Sequence, residues 1–200
     1  MMDTRRKLML ALVCTTAVTM VIVSGAAAAG KTECNATYTN TTLRGGVVVN
    51  AGDTCVLDHV TVNGKLIVNG GSILVTNSTL NGGWFITGNV TAPGNMCGNT
   101  INGGLRVHGV TSVVTLSFGE TNAGCAGGTI NGGASFRNNP GAFVEVDAYT
   151  VNGPLIISGN AGGEVEGTTV HGPARCQAGI SNDGDGGPNT YHGPNHGCPA

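Results

Sequence analysis

Four carboxylates are the first residues whose spacing could do chemistry. Glu145 and Asp147 alternate along one stretch, and Glu164 with Glu166 repeats the alternation about one repeat length further on. Alternation at period two places both members on one face of a strand. Carboxylates gathered in this way can coordinate Ca²⁺ or divide the acid and base roles of sugar hydrolysis. The plainer expectation is a solvated acidic edge that aids solubility, since no basic catalytic partner shares the patch. A second pattern is a column of hydroxyls at Thr61, Thr79, Thr100, Thr129 and Thr150, extended by Thr42 and Thr169. Two residues after each Thr stands a polar side chain: Asn63, Asn81, Asn102, Asn131 and Asn152, with Arg44 and His171 at the ends. An outward array of evenly spaced Thr is what some solenoid ice-binding proteins present. Thr and Asn ladders that simply satisfy one another are the alternative. In the tail, Asp183-Gly184-Asp185-Gly186 is a fragment of a calcium loop without its distal Glu. His192 and His196 stand near Cys198, but a Cys198 held in a disulfide cannot ligate as thiolate. No catalytic residue, metal or cofactor is expected from these patterns.

The elements that must position these residues are visible as an internal repeat. Thr-apolar-polar-Gly occurs at Thr42, Thr61, Thr79, Thr100, Thr129, Thr150 and Thr169, with intervals of 19, 18, 21, 29, 21 and 19 residues. Five residues after each Thr lies Val47, Leu66, Trp84, Leu105, Ala134, Leu155 or Ala174, and seven after it Val49, Val68, Ile86, Val107, Phe136, Ile157 or Cys176. That spacing describes a strand with one buried face. The Gly of each repeat permits a positive φ for the turn between two short strands. A third strand is marked by Ile73/Val75, Val144/Val146 and Val165. Two or three short strands per winding of about 20 residues describe a parallel β-solenoid, in which each coil completes its core on its neighbours. The one long interval contains Ser117 to Gly127, which reads as an inserted loop. Trp84 and Phe136 are expected to point inward and to face small residues such as Ala134 across a narrow core.

Composition bounds the function classes. The chain has 200 residues, 35 of them Gly, and a net charge of −2, so bulk charge predicts no capture of nucleic acid or anionic lipid. Arg5, Arg6 and Lys7, the apolar run Leu8 to Val23 and the small residues to Ala29 form a signal peptide over residues 1–29, of general secretory type although Thr4-Arg5-Arg6 hints at twin-arginine export. An uncleaved anchor is the alternative, since the run is long enough to span a bilayer. Six cysteines then remain, suited to an oxidising compartment. Cys34 to Cys55, Cys97 to Cys125 and Cys176 to Cys198 are 21, 28 and 22 residues apart, each matching one coil. Residues one coil apart stack within disulfide reach, so these three bridges are expected, although Cys176 sits in an inward column and could instead be a buried thiol. Sequons at Asn35, Asn40, Asn77 and Asn89 matter only in a host that glycosylates secreted proteins.

The Thr-Val-x-Gly coils behind a signal peptide resemble right-handed parallel β-helix proteins of the pectate-lyase-like superfamily, above all short secreted bacterial members. The resemblance covers Thr41 to about Gln177 and implies fold rather than activity. Enzymes of that superfamily carry Asp clusters with Arg or Lys in a strand-borne cleft, often with Ca²⁺. No such set maps onto this chain, where Arg106, Arg137 and Arg175 stand isolated. The expectation is therefore one all-β domain, a right-handed β-helix of about seven coils over residues 41–180, with a cap segment at 30–40 and a Gly/Pro/Asn-rich tail at 181–200. It is read as a secreted, disulfide-stapled structural or binding module, more in keeping with a non-enzyme. The alternatives are a polysaccharide-binding or polysaccharide-degrading β-helix, and ice binding through the Thr column. The partner expected is a polysaccharide or cell-surface component, not nucleic acid, with no membrane insertion after signal cleavage.

Overall fold

The computed structural model describes residues 30–92, 94–120 and 124–200. The expected signal peptide lies outside the described residues. Every regular element among them is a short strand, and each strand pairs in parallel with the equivalent strand of the next winding. The result is a parallel β-solenoid with three faces. One face is a nine-stranded sheet from Thr32–Glu33 to Asn195–His196, and a second is an eight-stranded sheet from Thr42–Leu43 to Thr190–Tyr191. The third face is divided into two four-stranded sheets. The N-terminal one holds Thr37–Thr39, Thr54–Asp58, Gly71–Thr76 and Val90–Thr91; the C-terminal one holds Val114–Phe118, Ala142–Asp147, Gly162–Glu166 and Ile180–Ser181.

The eight-stranded sheet counts about eight coils, one more than the seven repeats read from the sequence. The added coil comes from Thr190-Tyr191-His192-Gly193, which repeats the Thr-apolar-polar-Gly pattern inside the Gly/Pro/Asn-rich tail and pairs Thr190 with Thr169. At the other end, Thr32–Glu33 and Thr37–Thr39 join the sheets as well.

Vertical files of side chains fill the interior. Leu66, Trp84, Leu105, Ala134, Leu155 and Ala174 are successive register partners, as are Val68, Ile86, Val107, Phe136, Ile157 and Cys176. All of these but Cys176 are buried. Parallel stacking puts like residues over like, so each winding supplies the apolar surface that its neighbour lacks. Two expectations are corrected here. Ala134 shares the file of Trp84 instead of facing it; the partner across the core is Phe118, whose ring centroid lies 5.6 Å from that of Trp84 and 5.4 Å from that of Phe136. Phe118 belongs to the stretch read as an inserted loop. Val114–Phe118 is a strand, Ser117 and Phe118 are buried, and the excursion begins only at Gly119. The reason is packing demand: the Trp84–Phe136 layer needs a bulky neighbour, which a loop could not hold in place.

The repeat glycines also act differently from the expectation. Gly82, Gly103, Gly132, Gly153 and Gly172 do not adopt positive φ. They are required by close approach between windings: a Cβ on Gly82 would lie 2.5 Å from the carbonyl carbon of Gly64, and one on Gly153 would lie 2.7 Å from the carbonyl oxygen of Gly132. Any side chain there would hold the coils apart at the corner. Among the described residues no helix is long and apolar enough to cross a membrane.

Candidate functional site

Glu145 and Asp147 lie on the outer side of the short C-terminal sheet, in register with Glu164 and Glu166. The four carboxylates that the sequence singled out are therefore brought together as two adjacent rungs. They do not form a solvated edge. Asp147 is 4% exposed and Glu166 is 1% exposed, although both point away from the core. Glu120 and the tail lie against them from the outside of the sheet. The excursion after Gly119 brings Glu120 to Glu145 and Asp147, with one carboxylate oxygen of each within 4.8 Å of those of the other two. The tail crosses the next rung, where the N–H groups of Gly184 and Gly186 donate to Glu166 Oε1 and Oε2 at 2.8 Å each and the Asp183 N–H donates to Glu164 Oε1 at 3.0 Å.

The electrostatics of the two rungs diverge accordingly. Burial, reinforced by Glu145 and Glu120, pushes the Asp147 carboxyl up to about 8. Its Oδ1 is buried without a hydrogen-bond partner. Burial also raises Glu145. For Glu166 burial acts upward too, but the hydrogen bonds from Asp185 and from the Gly184 and Gly186 N–H groups outweigh it and hold the carboxyl at about 2. Asp185, which shares a proton contact with Glu166, is raised to about 7. One rung is satisfied by backbone donors; the other is not.

The excursion is tied down by a disulfide. Cys125 N–H donates to the Glu120 carbonyl at 3.0 Å, and Cys125 is bonded to Cys97 with 5.3 Å between Cα atoms. Cys34–Cys55 and Cys176–Cys198 are bonded likewise, with Cα separations of 5.4 and 4.7 Å, so Cys176 is no free thiol and Cys198 is not available to a metal. His192 instead stacks on His171, centroids 4.6 Å apart, and His196 is exposed on the long sheet.

Thr61, Thr79, Thr100, Thr129 and Thr150 are register partners in one column, each half-buried. Beside them the Asn side chains form a continuous chain: Asn81, Asn102, Asn131 and Asn152 each donate to the amide oxygen of the Asn one coil before, at 2.6 to 2.9 Å. Buried ladders that the sequence reading missed hold the other corners. Asn99 accepts from Ser78 N–H and donates to the Val75 carbonyl, and Asn139 donates to Asn160. Nothing in composition distinguishes these from the many exposed Asn residues; only their place in the coil does.

The outer face of the nine-stranded sheet was also missed. Arg106, Arg137 and Arg175, isolated in sequence, share this face. Phe85, Arg106, Ser135, Ile156 and Arg175 are successive register partners in one outward file, with His108 and Arg137 paired in the next. Lys65 Nζ lies 5.2 Å and the Arg106 guanidinium 5.9 Å from the Phe85 ring centroid. A shallow groove of about 680 Å³ runs over Arg106, His108, Ser135, Arg137 and Ile156, and continues between Arg137 and Arg175. None of the three arginines forms an ion pair with a carboxylate among the described residues. Four of the six Lys and Arg residues within 30–200 thus stand on one face, which the near-zero net charge conceals.

No family model, curated protein or solved structure matches the chain. The parallel β-solenoid rests on the structure itself, and the pectate-lyase-like resemblance gains no support from these comparisons.

Proposed function

We propose that the protein is a secreted, non-catalytic binding scaffold whose nine-stranded face engages an acidic polysaccharide. The observation that carries this reading is the row of unpaired guanidinium groups at Arg106, Arg137 and Arg175, set among Phe85, Ile67 and Ile156 on one flat, exposed sheet. Guanidinium forks suit carboxylate or sulfate groups, and half-buried apolar side chains between them suit the faces of sugar rings. Three disulfides support an oxidising compartment, where such polymers occur. The acid column stands on the outside of a different sheet, so arginines and carboxylates do not converge as a degrading enzyme would require. Immobilised polygalacturonate, a sulfated glycan, a neutral xylan and DNA serve as the test panel for the purified chain. Retention on the acidic glycans should fall about tenfold or more with Arg137→Ala. Equal retention on neutral xylan, indifference to Arg106→Ala, Arg137→Ala and Arg175→Ala together, or preference for DNA defeats the proposal.

A further inference from the structure

We propose that Glu120, Glu145 and Asp147 hold one Ca²⁺ ion on the outer side of the short C-terminal sheet. The cluster has two features that a mere acidic surface lacks. Asp147 is 4% exposed, and its Oδ1 is buried without any partner while the same carboxylate lies against those of Glu120 and Glu145. An ionised, unpartnered carboxylate in such a place needs a counter-charge. Among the described residues no cationic side chain pairs with it, and Arg106, Arg137 and Arg175 are on another sheet. The adjacent rung shows what the chain does where it supplies its own donors, since both Glu166 oxygens accept backbone N–H groups. Oδ1 of Asp147 receives no donor, and the neighbour it meets instead is a third carboxylate, that of Glu120.

The donor set selects the ion. Three carboxylate oxygens, each within 4.8 Å of the other two, suit the flexible, carboxylate-rich shell of Ca²⁺, whereas Mg²⁺ demands a near-ideal octahedron and gives up its water reluctantly. Each of the three carboxylates offers an oxygen, and the half-buried Glu120 and Glu145 leave room for water to complete the shell. The excursion reaches the site because Gly119, at φ 79°, turns directly over the Asp147 carbonyl, where a Cβ would collide. Cys97–Cys125 then anchors its far end. Strand, glycine and disulfide together place Glu120.

The experiment is thermal denaturation and calorimetric titration of the full secreted chain, disulfides intact and stripped with EDTA, against CaCl₂. Calcium a hundredfold above its Kd should raise the melting temperature by roughly 5 to 10 °C, and Mg²⁺ should do less. Asp147→Asn should melt higher than the unmodified protein in EDTA and lose the calcium response. Glu145→Gln, on a half-buried side chain, gives the same readout should Asp147→Asn fail to fold. Glu164→Gln should keep the response. Identical melting in EDTA and calcium with no heat of binding overturns the proposal. So does a calcium response that persists in Asp147→Asn and Glu145→Gln, or one that is lost only in Glu164→Gln, which would put the ion on the other rung.

Discussion

Two stacks of polar side chains climb this solenoid, and they are built on opposite principles. The Asn63–Asn152 ladder repeats one neutral amide per coil, and each amide between the two ends both donates and accepts, so every added winding satisfies the one below. The acidic stack on the short C-terminal sheet repeats carboxylates, which only accept when ionised and repel one another when stacked. The amide stack lies open to solvent and calls for nothing further. The acid stack is roofed by the excursion and by the tail, and each of its rungs finds a different remedy. Glu166 receives backbone N–H groups; Asp147 is left with a raised pKa and an orphan oxygen. Repetition alone is therefore harmless for amides and demanding for acids, and it is at the acids that the chain departs from its repeat.

The sharpest way to break this contrast is to free the roof. The Cys97→Ser/Cys125→Ser double variant opens a loop of 28 residues, which the chain-entropy model values at about 3 kcal/mol. Its melting temperature should drop by roughly 6 to 12 °C in circular dichroism. A drop of a degree or two would show that the acid stack needs no roof.

A smaller effect, opposite in sign, is expected from Asp147→Asn in calcium-free buffer. With its folded pKa at about 8 and the ordinary value for the group at 3.8, Asp147 costs the fold nothing below pH 3.8, and the cost grows as pH rises to 8. The variant should match the unmodified protein near pH 4 and exceed it by a margin that widens up to pH 8, read from urea midpoints. A constant gap across that range would mean that Asp147 titrates normally.

The smallest change should come from importing an acid into the amide stack. Asn131→Asp keeps the hydrogen bond donated by Asn152 Nδ2 but loses the one to Asn102 Oδ1. Because the site is exposed, the loss should be about 0.5 to 1 kcal/mol, seen as a shift of one to three degrees. A change as large as that of the disulfide variant would erase the distinction between open and roofed stacks.

Much of this was legible in the residues. Thr-apolar-polar-Gly at near-constant intervals determined the winding, and with it the vertical files and the cysteine pairs, because in a stacked solenoid sequence separation of one coil is contact. The same periodicity put Glu145, Asp147, Glu164 and Glu166 on adjacent rungs. It could not reveal that they are covered, since the excursion and the tail follow no period and their path depends on what they land on. Thr190-Tyr191-His192-Gly193 escaped notice because its surroundings are loop-like, and Phe118 because its strand opens a coil of irregular length. Arg106, Arg137 and Arg175 looked scattered because their spacing is unequal and they are divided between two files; only the pairing of strands laid them on one sheet. Local pattern fixes what each winding contributes, whereas burial of a charge is a property of everything packed around it, and that the tertiary structure alone decided.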